Sequence, residues 1–340
     1  MEYIGEPPKD FEKVYSSLQD NIGAMMGFLQ STDTPISITE MNTVSNEYKL
    51  LIIENWVNRI REKIKLLEED KEGEHGKELM VLRKRLSNYI YTKGGKELIS
   101  DRVRIENTFI GPKPFTLELE NFGDIERNPQ TIESGYSVTD KADGVRMLMY
   151  INSKGKIYYI DNRFHIKSKK FGKYVAPKNL YNTVIDGEWV EHASDGSRLN
   201  IYLAFDIYFH GGKSVEDLPL LGTKTKPGRY DILKGVFKTI SKDVVDIETQ
   251  CWYKKFHFCK DGDNIFSLSK ECYEDDREYD IDGLIFTPMY LPVGVDAVSN
   301  SSFKLDKKSS KYVFNATSGS WKRALKWKPL DEQSVDFFVE

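Results

Sequence analysis

The stretch YSVTDKADGVRMLMYINSKGKIYYID, residues 136–161, carries the pattern that decides the fold. Apolar residues over Tyr136–Asp140, Val145–Ile151 and Lys156–Asp161 predict three strands, with NSKG as the turn between the last two. Val145, Met147, Met149 and Ile151 form the predicted buried side of that hairpin. Lys141, Asp143 and Arg146 stand at its mouth, where strands patterned for burial need no charge.

The same interruption recurs along the chain. Asp186 and Glu188 break TVIDGEWVE, Asp206 breaks LNIYLAFDIYF, Asp282 breaks DIDGLIFTPM, and Lys326 and Lys328 break ALKWKP. Burying one unpaired charge costs several kcal/mol, so a single case reads as a satisfied ion pair, whereas five of mixed sign point to a shared site. Lysine and arginine suit phosphate oxygens, and carboxylates suit Mg²⁺ and ribose hydroxyls, so the set describes a nucleoside triphosphate pocket. A P-loop is not the source: GGKS at 211–214 has its required earlier glycine replaced by Ile207, and the string reads as a turn. Taken singly, KADG is a hairpin mouth with an ion pair and aspartate before glycine is a turn. Asp206 reads equally as site or as structural hydrogen bonding, and Trp327 alternates away from its lysines into the core.

Composition sets the outer bounds. The chain has 340 residues, 39% hydrophobic and 30% charged, with net charge −4 from 49 basic and 53 acidic residues. That is an ordinary globular balance with room for a large core, and any contact with a polyanion has to be local. Cys251, Cys259 and Cys272 are an odd set without C-x-x-C spacing, which fits reduced thiols better than disulfides or zinc. No apolar run approaches a membrane span, and MEYIGEPPKDFEK lacks a signal-peptide pattern, so the expectation is a cytoplasmic protein with no membrane partner.

Residues 1–105 read as helical. In FEKVYSSLQDNIGAMMGFLQ the set Phe11, Val14, Tyr15, Leu18, Ile22, Met25 and Leu29 follows helical spacing with one face predicted buried. Ser37 with Glu40 predicts a capping box that opens a second helix through EYKLLIIENWVNRIREKIKLLEED, and ELMVLRKRLSNYIY predicts a third after the gap at KEGEHGK. From residue 106 the period changes to strands, with one clear helix at DILKGVFKTI, and the class predicted is α+β with antiparallel sheets.

KADGVR matches K-x-D-G-x-R, a match expected by chance less than about one time in a hundred in such a chain. With DGE, FD, DGLIF and KWKP following in order, the chain resembles the covalent nucleotidyltransferase superfamily of mRNA capping guanylyltransferases and polynucleotide ligases. Asp282 where ligases usually carry glutamate, and KWKP running into LDEQSVDFF, resemble the capping branch. YSVTDKADG and FIGPKPFTL are similar to the capping enzymes of large nucleocytoplasmic DNA viruses, the likeness covering residues 107–340. It implies a nucleotidyltransferase fold of antiparallel sheets with flanking helices over 106–330.

The resemblance implies the following roles. Lys141 attacks the α-phosphate of GTP and carries GMP to the 5′-diphosphate end of RNA. Asp143, Gly144, Arg146, Glu188, Phe205, Ile285, Lys326 and Lys328 bind the nucleotide. Glu188 and Arg146 hold the ribose, while Phe205 and Ile285 lie on the two faces of the base. Asp282 and Glu188 hold Mg²⁺ or Mn²⁺. Arg163 is left out, because the family's arginine falls at Asn162.

The resemblance further implies an OB domain beginning at 331–340, and slow charging of Lys141 without the rest of it. EYIGE at 2–6 and the helices after it resemble the end of a tunnel-type RNA triphosphatase module. Only Glu2 remains of that family's paired glutamates, so no triphosphatase activity is expected. The chain is then the middle of a longer capping polypeptide, with triphosphatase and methyltransferase modules as partners and a viral factory or virion as a possible place. The alternatives are an ATP-dependent RNA or DNA ligase, or a catalytically weak RNA-binding fragment.

Overall fold

The computed structural model describes residues 11–30, 35–70, 75–100, 109–123, 131–168, 174–243, 250–294 and 320–330. Helices α1 (Phe11–Gln30), α2 (Ile38–Glu69) and α3 (Gly76–Tyr89) come first, then a hairpin of β1 (Ile90–Lys93) and β2 (Lys96–Ile99). There follow β3 (Lys113–Thr116), β4 (Tyr136–Ala142), β5 (Val145–Ile151), β6 (Ile157–Asp161), β7 (Ile166–Lys167), β8 (Thr183–His192), β9 (Arg198–His210) and β10 (Lys213–Ser214). The remainder is α4 (Arg229–Asp243), β11 (Gln250–Tyr253), β12 (His257–Phe258), α5 (Ile265–Glu274), β13 (Ile281–Pro288) and β14 (Ser320–Trp327). Three expectations lie outside the described residues: the EYIGE strand, the boundary near 105 and the OB start at 331–340.

Two sheets form the frame. The larger runs β10-β9-β8-β5-β6-β7 with β11 beside β9, and the smaller runs β12-β4-β13-β14-β3. Pairing is antiparallel except for β11 on β9 and β3 on β14, which are parallel. The α+β class is as expected. The hairpin of β5 and β6 is also as read, but β4 does not belong with it: β4 pairs with β12 and β13 in the smaller sheet. KADG is therefore the crossing from one sheet to the other.

Both faces of β5 are buried, which corrects the one-sided reading. Met147, Met149 and Ile151 share a core cluster with Leu233, Val236, Phe237 and Ile240 of α4. Leu148 and Tyr150 share another with Val44, Tyr48, Ile52, Ile53, Trp56 and Val57 of α2. A strand clad by helices on both faces loses its alternation and reads as a continuous apolar run. Val145, at the crossing, is exposed instead.

α2 starts as predicted, with the Ser37 side chain accepting from the Glu40 N–H at 3.1 Å. The Glu40 carboxylate does not close the capping box. It accepts from Tyr158 Oη at 2.7 Å and Lys156 Nζ at 3.1 Å and so ties the helix to β6. α1 corrects another expectation: the helix is present, but Tyr15, Leu18, Ile22 and Met25 are 44–56% exposed. Helical spacing shows that one face is apolar, not what covers it. Trp327 is likewise not core; it stands exposed at the end of β14, edge-on to Tyr273.

Candidate nucleotide-binding and catalytic site

The two sheets face each other across a cavity. Thr139, Lys141, Ile285, Thr287, Trp321 and Ala324 line it from the smaller sheet, and Arg146, Glu188, Phe205, Asp206 and Tyr208 from the larger. Pro112 and Pro114 of the FIGPKPFTL segment line it too, as do Asp140, Ala142, Lys254 and Phe256.

Lys141 lies on β4, half-buried, and its Nζ donates to both oxygens of Asp282 at 2.5 and 2.6 Å. Lys328 Nζ meets the same carboxylate at 2.7 Å. Asp282 reaches them because the register of β13 on β4 shifts between Ile281 and Leu284, a bulge that re-aims a side chain. Gly283 takes φ 140° there, and a Cβ would fall 1.9 Å from the Trp327 carbonyl oxygen, so the DG dipeptide is required by close approach. Burial pushes the Asp282 carboxyl up, but hydrogen bonds from Lys141 and Lys328 outweigh it and hold the pKa below the usual value.

Arg146 is held on the opposite wall. Its Nε and Nη2 donate to Asp186 at 3.0 and 2.5 Å and its Nη1 to the Pro112 carbonyl at 3.2 Å. Asp186 is wholly buried and also accepts from Tyr208 Oη at 2.6 Å. The guanidinium lies 5.6 Å from the centre of the Phe205 ring. Arg146 therefore touches the cavity as a fixed wall, with Asp186 as its orienting partner. Glu188, opposite Arg146 in register, is pushed up to about 7 by burial, with Lys254 and Arg146 opposing.

Ile285 sits between Thr139 and Lys326 in the smaller sheet and lines the same cavity as Phe205. Lys326 is half-buried beside Ile285 but does not line the cavity. Asp143 and Gly144 are exposed at the crossing and, like Asp282 and Lys328, lie outside the residues that line the cavity. The Asp143 N–H donates to the Asp280 carbonyl at 3.0 Å, and a Cβ on Gly144 would meet the Trp189 carbonyl oxygen at 2.6 Å. The pair serves the close passage between the sheets.

Asp206 resolves as structural. It accepts from Arg229 Nε at 2.8 Å and Nη2 at 3.1 Å, and Arg229, fully buried on α4, also bonds the carbonyls of Leu218 and Leu291. The sequence reading missed Lys254. It is buried, with Nζ on the Asp140 carbonyl at 2.9 Å and carboxylate at 3.0 Å, directly before Lys141. It is a charge among aromatics in CWYKKFHF, and the rule that picked Asp186 and Asp282 applies to it unchanged.

Among the described residues no group of three or more His, Cys, Asp or Glu is assembled as a metal site. Asp282 and Glu188 nonetheless offer hard oxygen donors, which suits an ion such as Mg²⁺ that takes one or two carboxylates and fills the rest with water and phosphate. GGKS is the turn expected: Gly211 and Gly212 join β9 to β10.

A lysine held by a carboxylate on one sheet, facing an aromatic ring and a fixed arginine on another, defines a nucleotidyltransferase domain. Residues 68–307 match the family described as mRNA capping enzyme, catalytic domain, and the chain belongs to that family. Its relatives include an mRNA-capping enzyme of Danio rerio, 26% identical over 67% of this chain and 34% of that protein. An mRNA-capping enzyme subunit alpha of Candida glabrata is 26% identical over 68% of this chain and 48% of that protein. A probable mRNA-capping enzyme of Acanthamoeba polyphaga mimivirus is 22% identical over 61% and 19%. The chain thus spans between about a fifth and about half of these relatives. The ligase domain from M. tuberculosis LigD overlaps with a TM-score of 0.38 and 13% identity over 66% of this chain and 61% of that one, which decides nothing between ligation and capping.

Proposed function

We propose that the chain is a GTP:RNA guanylyltransferase. Lys141 Nζ, as the neutral amine, attacks the α-phosphorus of GTP, a P–N bond forms as the bond to the β-phosphate oxygen breaks, pyrophosphate leaves, and the nitrogen gives its surplus proton to solvent. A terminal oxygen of the RNA 5′-diphosphate then attacks the same phosphorus, the P–N bond breaks, and Lys141 leaves as the amine after taking up a proton. The observation that carries the reading is the placement of Lys141, whose partner Asp282 also holds Lys328, at a cavity walled by Phe205 and Ile285.

The chain's own residues supply positioning and charge. Phe205 and Ile285 offer the faces between which a base stacks, an interaction worth ~1–3 kcal/mol. Lys254 uses two donors on Asp140 and has a third for an acceptor such as the guanine carbonyl, where adenine presents an amine. Arg146 and Lys328 place positive charge where phosphate oxygens gather it. Asp282 holds Lys141 until a phosphate takes its place, and Asp282 with Glu188 would hold Mg²⁺ or Mn²⁺. When bound, that ion neutralises charge on the phosphates.

Donors of RNA triphosphatase and methyltransferase activity are the proposed partners. The test is transfer to two RNAs, one with a 5′-diphosphate and one with a 5′-monophosphate, each given with GTP or ATP. Capping of the diphosphate RNA from GTP is expected. Adenylation or joining of the monophosphate RNA would establish a ligase instead.

A further inference from the structure

The nucleotide cavity and helix α2 occupy the same face of the larger sheet. On β5, Arg146, Leu148 and Tyr150 share that face, and on β8, Val184, Asp186 and Glu188 do, by the two-residue period of a strand. α2 covers Leu148, Tyr150 and Val184, and the cavity takes Arg146 and Glu188. The chain between them is Ile110–Pro112.

Tyr48 of α2 grips that segment. The fully buried Tyr48 hydroxyl accepts from the Ile110 N–H at 3.4 Å, and its ring packs edge-on against Tyr150 and Phe164. Gly111 follows at φ 123°, so close to the site that an added Cβ would lie 2.7 Å from Asp186 Oδ2 and 2.8 Å from Arg146 Nη2. Pro112 then gives its carbonyl to Arg146 and its ring to the cavity. Two turns along the same stripe, Asn55 Nδ2 donates to Glu216 Oε2 at 3.3 Å. Two residues on, Leu218 gives its carbonyl to Arg229, the partner of Asp206 beside Phe205.

We infer that Tyr48 is a positioning residue for nucleotide binding, and that α2 is a working part of the catalytic unit. The inference rests on the cavity being the GTP site. Without the Tyr48 hydroxyl, the Ile110 N–H is buried without this acceptor, and the segment that seats Arg146 against Asp186 is free to shift. Arg146 then meets the nucleotide less well, while Lys141, on the other sheet, keeps its place.

The test is single-turnover labelling of Lys141 with GTP carrying a labelled α-phosphate, over a series of GTP concentrations at fixed Mg²⁺, with a thermal melt of each protein. Tyr48→Phe is expected to raise the half-saturating GTP about tenfold, the order of one unsatisfied buried donor, and to leave the plateau rate within about twofold. Asn55→Ala is expected to raise it about threefold, and Leu50→Ala, exposed on the same helix, to leave it unchanged. A lowered melting temperature with unchanged half-saturation in Tyr48→Phe would show that Tyr48 only supports the fold and overturns the inference. If Tyr48→Phe does not fold, unchanged half-saturation in Asn55→Ala overturns it. A wild-type chain that takes no label overturns the proposed function and the inference with it.

Discussion

Two of the ion pairs at the cavity, Lys141–Asp282 and Arg229–Asp206, differ in what surrounds them. In Lys141–Asp282 the side chains are 26% and 15% exposed, and Asp282 is shared with Lys328. In Arg229–Asp206 they are 0% and 9% exposed, and the arginine also satisfies two backbone carbonyls. In sequence both aspartates look alike, a charge set among apolar strand residues. The first pair can exchange partners with a substrate that enters from the cavity. The second is complete and fixes β9, with Phe205, to α4. Burial and the count of satisfied partners, not the presence of charge, separate a reacting group from a supporting one.

The comparison breaks most visibly on paired substitutions. Lys141→Ala should abolish covalent labelling yet cost only ~1 kcal/mol of stability, since Asp282 keeps Lys328, with intact mass and a thermal melt as the readouts. Asp206→Ala should cost ~3–5 kcal/mol in urea denaturation, because it strands a buried guanidinium. A loss there as small as that of Lys141→Ala would erase the distinction. Phe205→Ala, a half-buried wall residue, should weaken GTP binding by ~1–3 kcal/mol in a titration while the melt moves less.

A further effect is in pH. Burial pushes Glu188 up to about 7 from an ordinary value of 4.5. The folded protein therefore holds a proton there that the unfolded chain releases. This contribution to stability is complete below about 4.5 and is lost as pH rises through about 7. Wild type should lose more stability than Glu188→Gln between about pH 5 and pH 8. Glu216, also pushed up to about 7 by burial, is present in both proteins and cancels in the difference.

Much of this was legible in the chain. The strands, the hairpin, α4 and the ordered motifs follow from periodicity and turn residues, and Lys141, Asp282, Lys328, Arg146, Glu188, Phe205 and Ile285 all meet at or beside one cavity. What was not legible depends on long-range pairing. Nothing local tells that β4 leaves β5 for another sheet, since the crossing and a hairpin mouth both ask for glycine after a strand. The exposure of α1 and Trp327 depends on which neighbours cover them. The β1–β2 hairpin had a local signal, GG within YTKGGKEL, overridden by the helical pattern before it. α5 is opened by Asn264, which accepts from the Phe266 and Ser267 N–H groups, a cap that the sequence reading passed over.

The central claim is that Lys141 forms a covalent bond to GMP. Its most direct measurement is incubation of the protein with Mg²⁺ and either GTP or ATP labelled at the α-phosphate, followed by peptide mapping of the labelled protein. The account predicts an acid-labile label from GTP, released with pyrophosphate as the second product, on the peptide that holds Lys141. Label from ATP alone, label on another residue, or no label from either nucleotide would contradict it.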